Sequence, residues 1–578
     1  MASKALSFFG LRKRKRFSNL GMDQMLVYAL SPRKIPTSKQ FKHLSKFLNS
    51  KENLIIKICL VIVFVNAVYL GVDFFKKHLK YSPVYGGEYI EGVVAYPKTI
   101  NPLYAVNRDV DSDLSRLVYS GLFKYDQNGT LVNDLVESHE VSNDKEYTIK
   151  IRSNVKWHDG NKVSVDDVIF TIDAIKNSEY RSPLKTSFSG VEVEKINDQT
   201  LKIILSSPYS PFLEVLTFGI LPKHIWGNIS PSAAILSELN LKPIGSGPYV
   251  FKSLVKSKEG DLKEYNLVAN DNYYLPRPYI KNIQFKFFIN YTEAIKALND
   301  NQIDGLGYLP FDSRKDVLAQ DSLTFNELTR PQIISLFFNQ EKDKALNNKP
   351  VRVALAQSIN KDEIIEEVFE NAYQKADSPI LANNFAYNDQ LTKYAYSPLE
   401  ATENIKNRLA STTLTVVDSG RNVLVAEKIK SYWEKIGVVV SLNIVPGERA
   451  MDIIKNRNFE ILLYGESVGG DPDVYAFWHS SQIGAKGLNL AAYNNPEVDK
   501  LLIEARETND INQRIEKYKK FQEILTNDIP AIFLYSPTYT YIQSKKVKGF
   551  SGSVIIEPAD RFSSIASWYL KTSKKIAW

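Results

Sequence analysis

Residues 134–174 read DLVESHEVSNDKEYTIKIRSNVKWHDGNKVSVDDVIFTIDA, and the local structure of this stretch follows from its pattern. Tyr147, Ile149 and Ile151 alternate with Thr148, Lys150 and Arg152, a period of two that predicts a strand with one buried face. Asp159-Gly160 marks a turn. Ser164 stands where a helix N-cap belongs, and Asp166 and Asp167 fall in the first turn, where the helix dipole favours acids. Val168, Ile169, Ile172 and Ile175 then follow at helical spacing. The segment reads as strand, polar turn and capped amphipathic helix.

Around it lies a chain of 578 residues, long enough for two or three core-forming units. Its net charge of +8 is unevenly placed. Residues 1–52 carry 12 Lys/Arg against two acids, whereas the rest carries 61 against 63. The body is therefore near neutral, which removes the main support for nucleic-acid binding. The single cysteine, Cys59, excludes an intrachain disulfide and is expected to be a buried, inert thiol.

The basic tail precedes LIIKICLVIVFVNAVYLGVDFF, Leu54 to Phe75. Twenty-two residues suffice to cross a bilayer as a helix, and Lys57 can snorkel to the interface. Positive charge ahead of the span predicts a cytoplasmic N-terminus. No small-x-small cleavage site follows, so an uncleaved signal anchor is expected, held by membrane lipid. The basic tail is explained by topology and by attraction to anionic lipid.

The opening stretch resembles the signature region of the family 5 solute-binding proteins of ABC transporters, the oligopeptide-, dipeptide- and nickel-binding group. The likeness extends through Gly86-Gly87, PKTINP at 97–102, Gly121-Leu122, LPKH at 221–224, IGSGPYVF at 244–251, NDNYYLPRP at 270–278 and PVRVALAQSINKDEII at 350–365. It covers about residues 86–570. The resemblance implies an α/β, two-lobed periplasmic-binding-protein-like fold (class II, with an extra small subdomain), here preceded by one transmembrane helix. The expected organisation is a basic cytoplasmic tail 1–52, an anchor 53–75 and a tether 76–85. Lobe 1 then spans 86–332 with a small subdomain at about 123–215, lobe 2 spans 333–530, and 531–578 returns to lobe 1. Crossings between lobes are expected near Arg330–Asn339 and Ile529–Ser536. Thr413–Val417, a helix over Val423–Ile436, and Val438–Ile444 predict a parallel strand-helix-strand crossover.

No Gly-x-Ser-x-Gly elbow, Walker loop or zincin motif is present, and the six histidines show no metal-ligand spacing. The expectation is therefore a binding protein with no enzymatic activity, no metal site and no cofactor. Lobes that close on a ligand need polar groups presented in the cleft. The main candidate is YGESVGGDPDVYAF, Tyr464 to Phe477, whose glycines let the backbone approach a ligand. In peptide-binding relatives this loop reads Gly-Trp-x-x-Asp-x-x-x-Pro, and its aspartate pairs with the ligand's amino terminus. Here Glu466 replaces the Trp and Gly469 falls at the Asp position, with the loop about one residue shorter. The resemblance carries Gly465 and Ser467 over as backbone contacts, and leaves Glu466, Asp471 or Asp473 to supply the carboxylate. Asp109, at the matching cleft edge, and Tyr180, projecting from the small subdomain, complete the candidates.

The function so implied is capture of an oligopeptide or similar small solute outside the membrane and delivery to an ABC permease and its ATPase, by a monomer that binds no nucleic acid. The alternatives are a ligand-sensing surface receptor on the same scaffold and a binding protein for a non-peptide solute or metal complex.

Overall fold

A computed structural model describes residues 48–317 and 321–576. Residues 1–47, most of the expected basic cytoplasmic tail, lie outside it. The chain divides into a unit of residues 83–572 and a second unit whose main described element is the helix Ser50–His78. That helix is long and apolar enough to cross a membrane over Ser50–Phe74, and its apolar stretch is not buried by protein. Cys59 is accordingly exposed, not buried as expected. A helix with no protein packed around it leaves its thiol uncovered. Leu79–Val84, within the expected tether, is a strand in a two-stranded sheet with Lys571–Ile576.

The 83–572 unit is built on two large sheets, one for each lobe. The lobe 1 sheet has seven strands, in the order Leu323–Thr329, Thr538–Ser544, Gly305–Leu306, Glu88–Val94, Asn282–Phe288, Leu262–Ala269, Tyr249–Lys256. Its central strand, Glu88–Val94, runs parallel to Asn282–Phe288 from the pair Glu88–Asn282 onward. The lobe 2 sheet has six strands, in the order Gln374–Lys375, Ala531–Ser536, Gln332–Phe338, Ile461–Ser467, Ser411–Asp418, Val439–Pro446. Ser411–Asp418 and Val439–Pro446 are parallel across the helix Asn422–Lys435, the crossover that the sequence pattern requires. Gln332–Phe338 buries both faces, which explains its nearly unbroken apolar run. Ile334, Leu336 and Phe338 pack into one core with Trp433, and Ile333 and Phe337 into another with Trp478.

The stretch quoted at the outset forms most of a small subdomain. Val136–Ser142, Glu146–Ile151, Thr200–Leu205 and Val191–Lys195 make a four-stranded antiparallel sheet in that order. The helix Val165–Lys176 packs its apolar stripe against the core, with Val168, Ile172 and Ile175 fully buried. Ser164 and Asp167 close its N-terminus as a capping box.

The chain passes between the lobes twice. It leaves the seven-stranded sheet at Thr329 and enters the six-stranded one at Gln332 through Arg330-Pro331. It returns from Ser536 to Thr538 through Pro537. Ala531–Ser536 thus pairs within the lobe 2 sheet, and the exchange falls a few residues beyond the boundary set at 530.

A buried ionic cluster ties three distant segments of lobe 1 together. Arg561, on the returning segment, lies 3.0 Å from Glu91 of the central strand and 2.5 Å from Asp113 of the helix Asp109–Val118. Glu91 also accepts hydrogen bonds from the Tyr89 and Tyr541 hydroxyls, at 2.5 and 3.0 Å.

Candidate functional site

The strand Ile461–Ser467 delivers the candidate loop to the boundary between lobes. Alternation along it sends Leu462 and Glu466 to one face and Leu463 and Gly465 to the other. Gly465 lies opposite Ile334 on the neighbouring strand. A β-carbon there would come 2.8 Å from the Ile334 side chain and 3.1 Å from Gln332, so the position admits only glycine without displacement. Ser467, at the strand's end opposite Gln332, is exposed.

Glu466 is 2% exposed, and among the described residues neither carboxylate oxygen has a hydrogen-bond partner. Burial drives its carboxyl well above the ordinary glutamate range, so the group is held neutral. It lies inside lobe 2 and presents no charge to the cleft.

The two aspartates of the loop are each paired with an arginine. Arg514 Nη2 donates to Asp471 at 2.5 Å. Arg506 donates to Asp473 through Nε at 3.0 Å and Nη2 at 2.7 Å. Burial raises the Asp471 carboxyl, and the Arg514 guanidinium pulls it partly back. Arg506 also lies over the Tyr475 ring, 3.9 Å from its centroid, and over Tyr209 of lobe 1 at 5.3 Å. The sequence reading missed both arginines, which lie 33 and 43 residues beyond their partners.

The loop meets lobe 1 at its glycines. A β-carbon on Gly470 would lie 2.8 Å from Glu214 Oε1 and 3.0 Å from the Tyr125 ring. Gly469 adopts φ +76°, a left-handed conformation that favours glycine. Further along the same edge, the Ser210 amide donates to the Arg506 carbonyl at 2.8 Å, and the Asn509 amide donates to Asp144 at 3.0 Å. The lobes are therefore in contact across the cleft mouth. A second contact lies on the helical turn Phe311–Asp316. There Asp312 pairs with Arg421 at 2.6 Å, and Phe311 packs on Phe369 with ring centroids 5.9 Å apart.

Two cavities open on the lobe 1 side. The larger, of about 680 Å³, reaches Glu214 and Tyr125 and is lined farther in by Arg116, Lys124, Asp134 and Glu557. Its cations are already paired, Lys124 with Asp134 at 2.9 Å and Arg116 with Asp560 at 3.0 Å. The smaller, of about 350 Å³, is walled by Tyr291, Tyr308 and Tyr539 over Asp113 and Arg561, and Asp109 is exposed at its edge. Tyr308 is held at φ +43°, a strained conformation for a residue with a bulky side chain.

Tyr180 requires correction. It does not project but is 6% exposed within the lobe 1 core. The turn Ser178–Tyr180 ends at Arg181 in the left-handed region, and the tyrosine ring is folded inward. Glu214, Tyr125 and Tyr209 were missed for the same reason as the arginines. Each gains its place only through contacts between elements far apart in sequence.

The arrangement is one that grips and encloses. The model of the bacterial extracellular solute-binding proteins, family 5 Middle, matches residues 130–487. The oligopeptide-binding protein AppA of Bacillus subtilis is 28% identical over 524 residues, which cover 85% of this chain and 92% of AppA. The dipeptide-binding protein of Escherichia coli is 27% identical over 491 residues, 78% of this chain and 90% of that one. The structure of B. subtilis AppA in complex with a nonapeptide superposes with a TM-score of 0.65 at 26% identity, over 85% of this chain and all of that one. NikZ from Campylobacter jejuni in complex with Ni(L-His) gives 0.67 at 27% identity, over 83% and 99%. With its two lobes and a family match over more than half of its length, this chain belongs to the family 5 bacterial extracellular solute-binding proteins, which are transport binding proteins and not enzymes.

Proposed function

We propose that this chain captures an oligopeptide between its lobes outside the membrane and hands it to an ABC permease, while the helix Ser50–His78 anchors it. The observation that carries the reading is the chamber of about 680 Å³ in lobe 1, two of whose lining residues, Glu214 and Tyr125, also stand against Gly470 of the lobe 2 loop. That volume lies in the range of ligand sites that bury most of a small molecule's surface. The names of the relatives, which include oligopeptide- and dipeptide-binding proteins, supply the chemical class. The unburied apolar helix supports the anchor.

Asp471 and Asp473 are each engaged by an arginine, so a ligand's ammonium group would have to displace Arg514 or Arg506 to reach them. Main-chain contacts at Gly465 and Ser467, with Asp109 at the opposite edge, are therefore assigned the larger share of recognition. A ligand read through its backbone need not have one fixed sequence.

The test is mass spectrometry of whatever co-purifies with the full chain extracted from membranes, released by mild denaturation. A ladder of mixed short peptides is expected. A single non-peptide solute would overturn the peptide assignment. The likeness to NikZ makes a nickel complex the second reading. Among the described residues no three His, Cys, Asp or Glu side chains converge on one point, so such a complex would have to bring its own ligands. The intact mass of the extracted protein tests the anchor. A mass including the helix is expected, and loss of residues 1–75 or so would mean cleavage.

A further inference from the structure

We propose that Glu214 ties closure of the two lobes to the uptake of one proton, so that solute capture is favoured by acid. The proposal rests on the reading that closure is capture.

Glu214 belongs to lobe 1, on the short helix Phe212–Val215, and its carboxylate sits directly beneath the lobe 2 loop. One oxygen lies 2.8 Å, and the other 3.9 Å, from where β-carbons on Gly470 and Gly469 would stand. The absence of side chains at those positions is what lets the lobe 2 backbone cover the acid. The charged and titratable groups around it come from every element packed there. Tyr125, on the strand Phe123–Tyr125, is hydrogen-bonded to it, with Glu557 and Asp560 beyond. Tyr209 lies on its own segment. From lobe 2 come the Asp471 amide and carboxylate, and Arg514 from the helix Ile511–Asp528. Asp473 and Arg506 lie a little farther out.

Closure therefore brings a second carboxylate, Asp471, against Glu214 while removing water. The guanidinium nearby, Arg514, is already committed to Asp471 at 2.5 Å. In the closed arrangement, burial first and the Asp471 charge second push the Glu214 carboxyl up to about 7. With the lobes apart the group regains water and returns toward the ordinary glutamate value, about 4.3. The sign follows from linkage. The closed form holds the proton more tightly, so closure is fully favoured below the open-state value and weakens as pH rises through the window up to about 7. Within that window the closing equilibrium falls by up to about tenfold per pH unit.

The experiment uses the full chain in lipid nanodiscs, with Cys59→Ser and one dye on each lobe at the exposed positions Glu194→Cys and Glu516→Cys. Single-molecule energy transfer is recorded without solute from pH 5 to pH 8.5. The closed fraction of the parent protein is expected to fall across this range. A Glu214→Gln variant, which keeps the shape but cannot ionise, is expected to hold a closed fraction independent of pH. Gly470→Val, which puts bulk into the same contact, is expected to be open at every pH. Identical pH responses in parent and Glu214→Gln proteins, including no response in either, would overturn the proposal. Because no solute is needed, failure here leaves the peptide assignment standing, and failure of that assignment leaves this measurement intact.

Discussion

Replacing Arg561 with methionine is expected to cost lobe 1 about 3–5 kcal/mol, a large share of the stability of a typical domain. Arg561 is 3% exposed, and its guanidinium is the shared partner of Glu91, at 0%, and Asp113, at 2%. Methionine fills much of the same space but leaves two buried carboxylates facing one another. Burial already raises both carboxyls above their ordinary range, and the guanidinium is what opposes that rise. Without it, folding at pH 8 would require burying bare charges or taking up protons. The variant should therefore be less unstable at pH 5 than at pH 8, since groups raised in the folded state favour folding at low pH and lose that contribution as pH climbs. Urea unfolding followed by far-ultraviolet dichroism at both pH values checks this. A loss below about 1 kcal/mol would mean that the network is solvated and contributes little. Replacing Glu91, Asp113 and Arg561 together with apolar residues of similar volume is expected to recover most of the loss, because the penalty lies in the unpaired charges.

Glu466 should show the opposite behaviour, with substitution stabilising the protein. Its carboxyl has no partner among the described residues and is raised well above the ordinary range by burial alone. Unfolding frees it to ionise. Its linked contribution is complete below the unfolded value of about 4.3 and declines by about 1.4 kcal/mol for each pH unit above that, until the folded value is reached. Glu466→Gln cannot ionise in either state. It should resemble the parent protein near pH 4.5 and exceed it at pH 7.5, with an unfolding midpoint in urea that no longer drifts down with pH. Emission from Trp433 and Trp478, both buried in lobe 2, reports the transition there. If the difference between the two proteins were the same at both pH values, the carboxyl would not be the cause.

What was legible in the sequence was local. The alternation at Tyr147–Ile151, the cap at Ser164 and the crossover from Ser411 to Pro446 each depend on residues within a few turns of one another. The membrane-length helix was legible because lipid demands an unbroken apolar run. The site was legible only as backbone. Gly465, Gly469 and Gly470 were expected to let the backbone approach a ligand, and the structure instead places the protein's own side chains, Gln332, Ile334, Glu214 and Tyr125, against them. The side-chain roles were hidden because charge pairing is decided across the fold. Nothing near Asp473 announces Arg506, and nothing near Asp471 announces Glu214, which lies in the other lobe. Tyr180 misled for a related reason, since a tyrosine after a turn reads as exposed until a core is found to receive it.

The two crossings between lobes lie side by side. Leu323–Thr329 pairs with Thr538–Ser544 up to Thr329–Thr538, and Gln332–Phe338 pairs with Ala531–Ser536 from Ile334–Tyr535. One antiparallel ribbon thus runs through both sheets, interrupted at Pro331 and Pro537, which have no N–H to donate. The ladder lapses at the same level on both strands, so a fold across the ribbon breaks no rung. A double strap of this kind flexes readily about one axis and resists twist and lateral slip about the others. The lobes consequently swing as a book does on its spine, and the faces that meet on closing are selected by the strap before any ligand arrives.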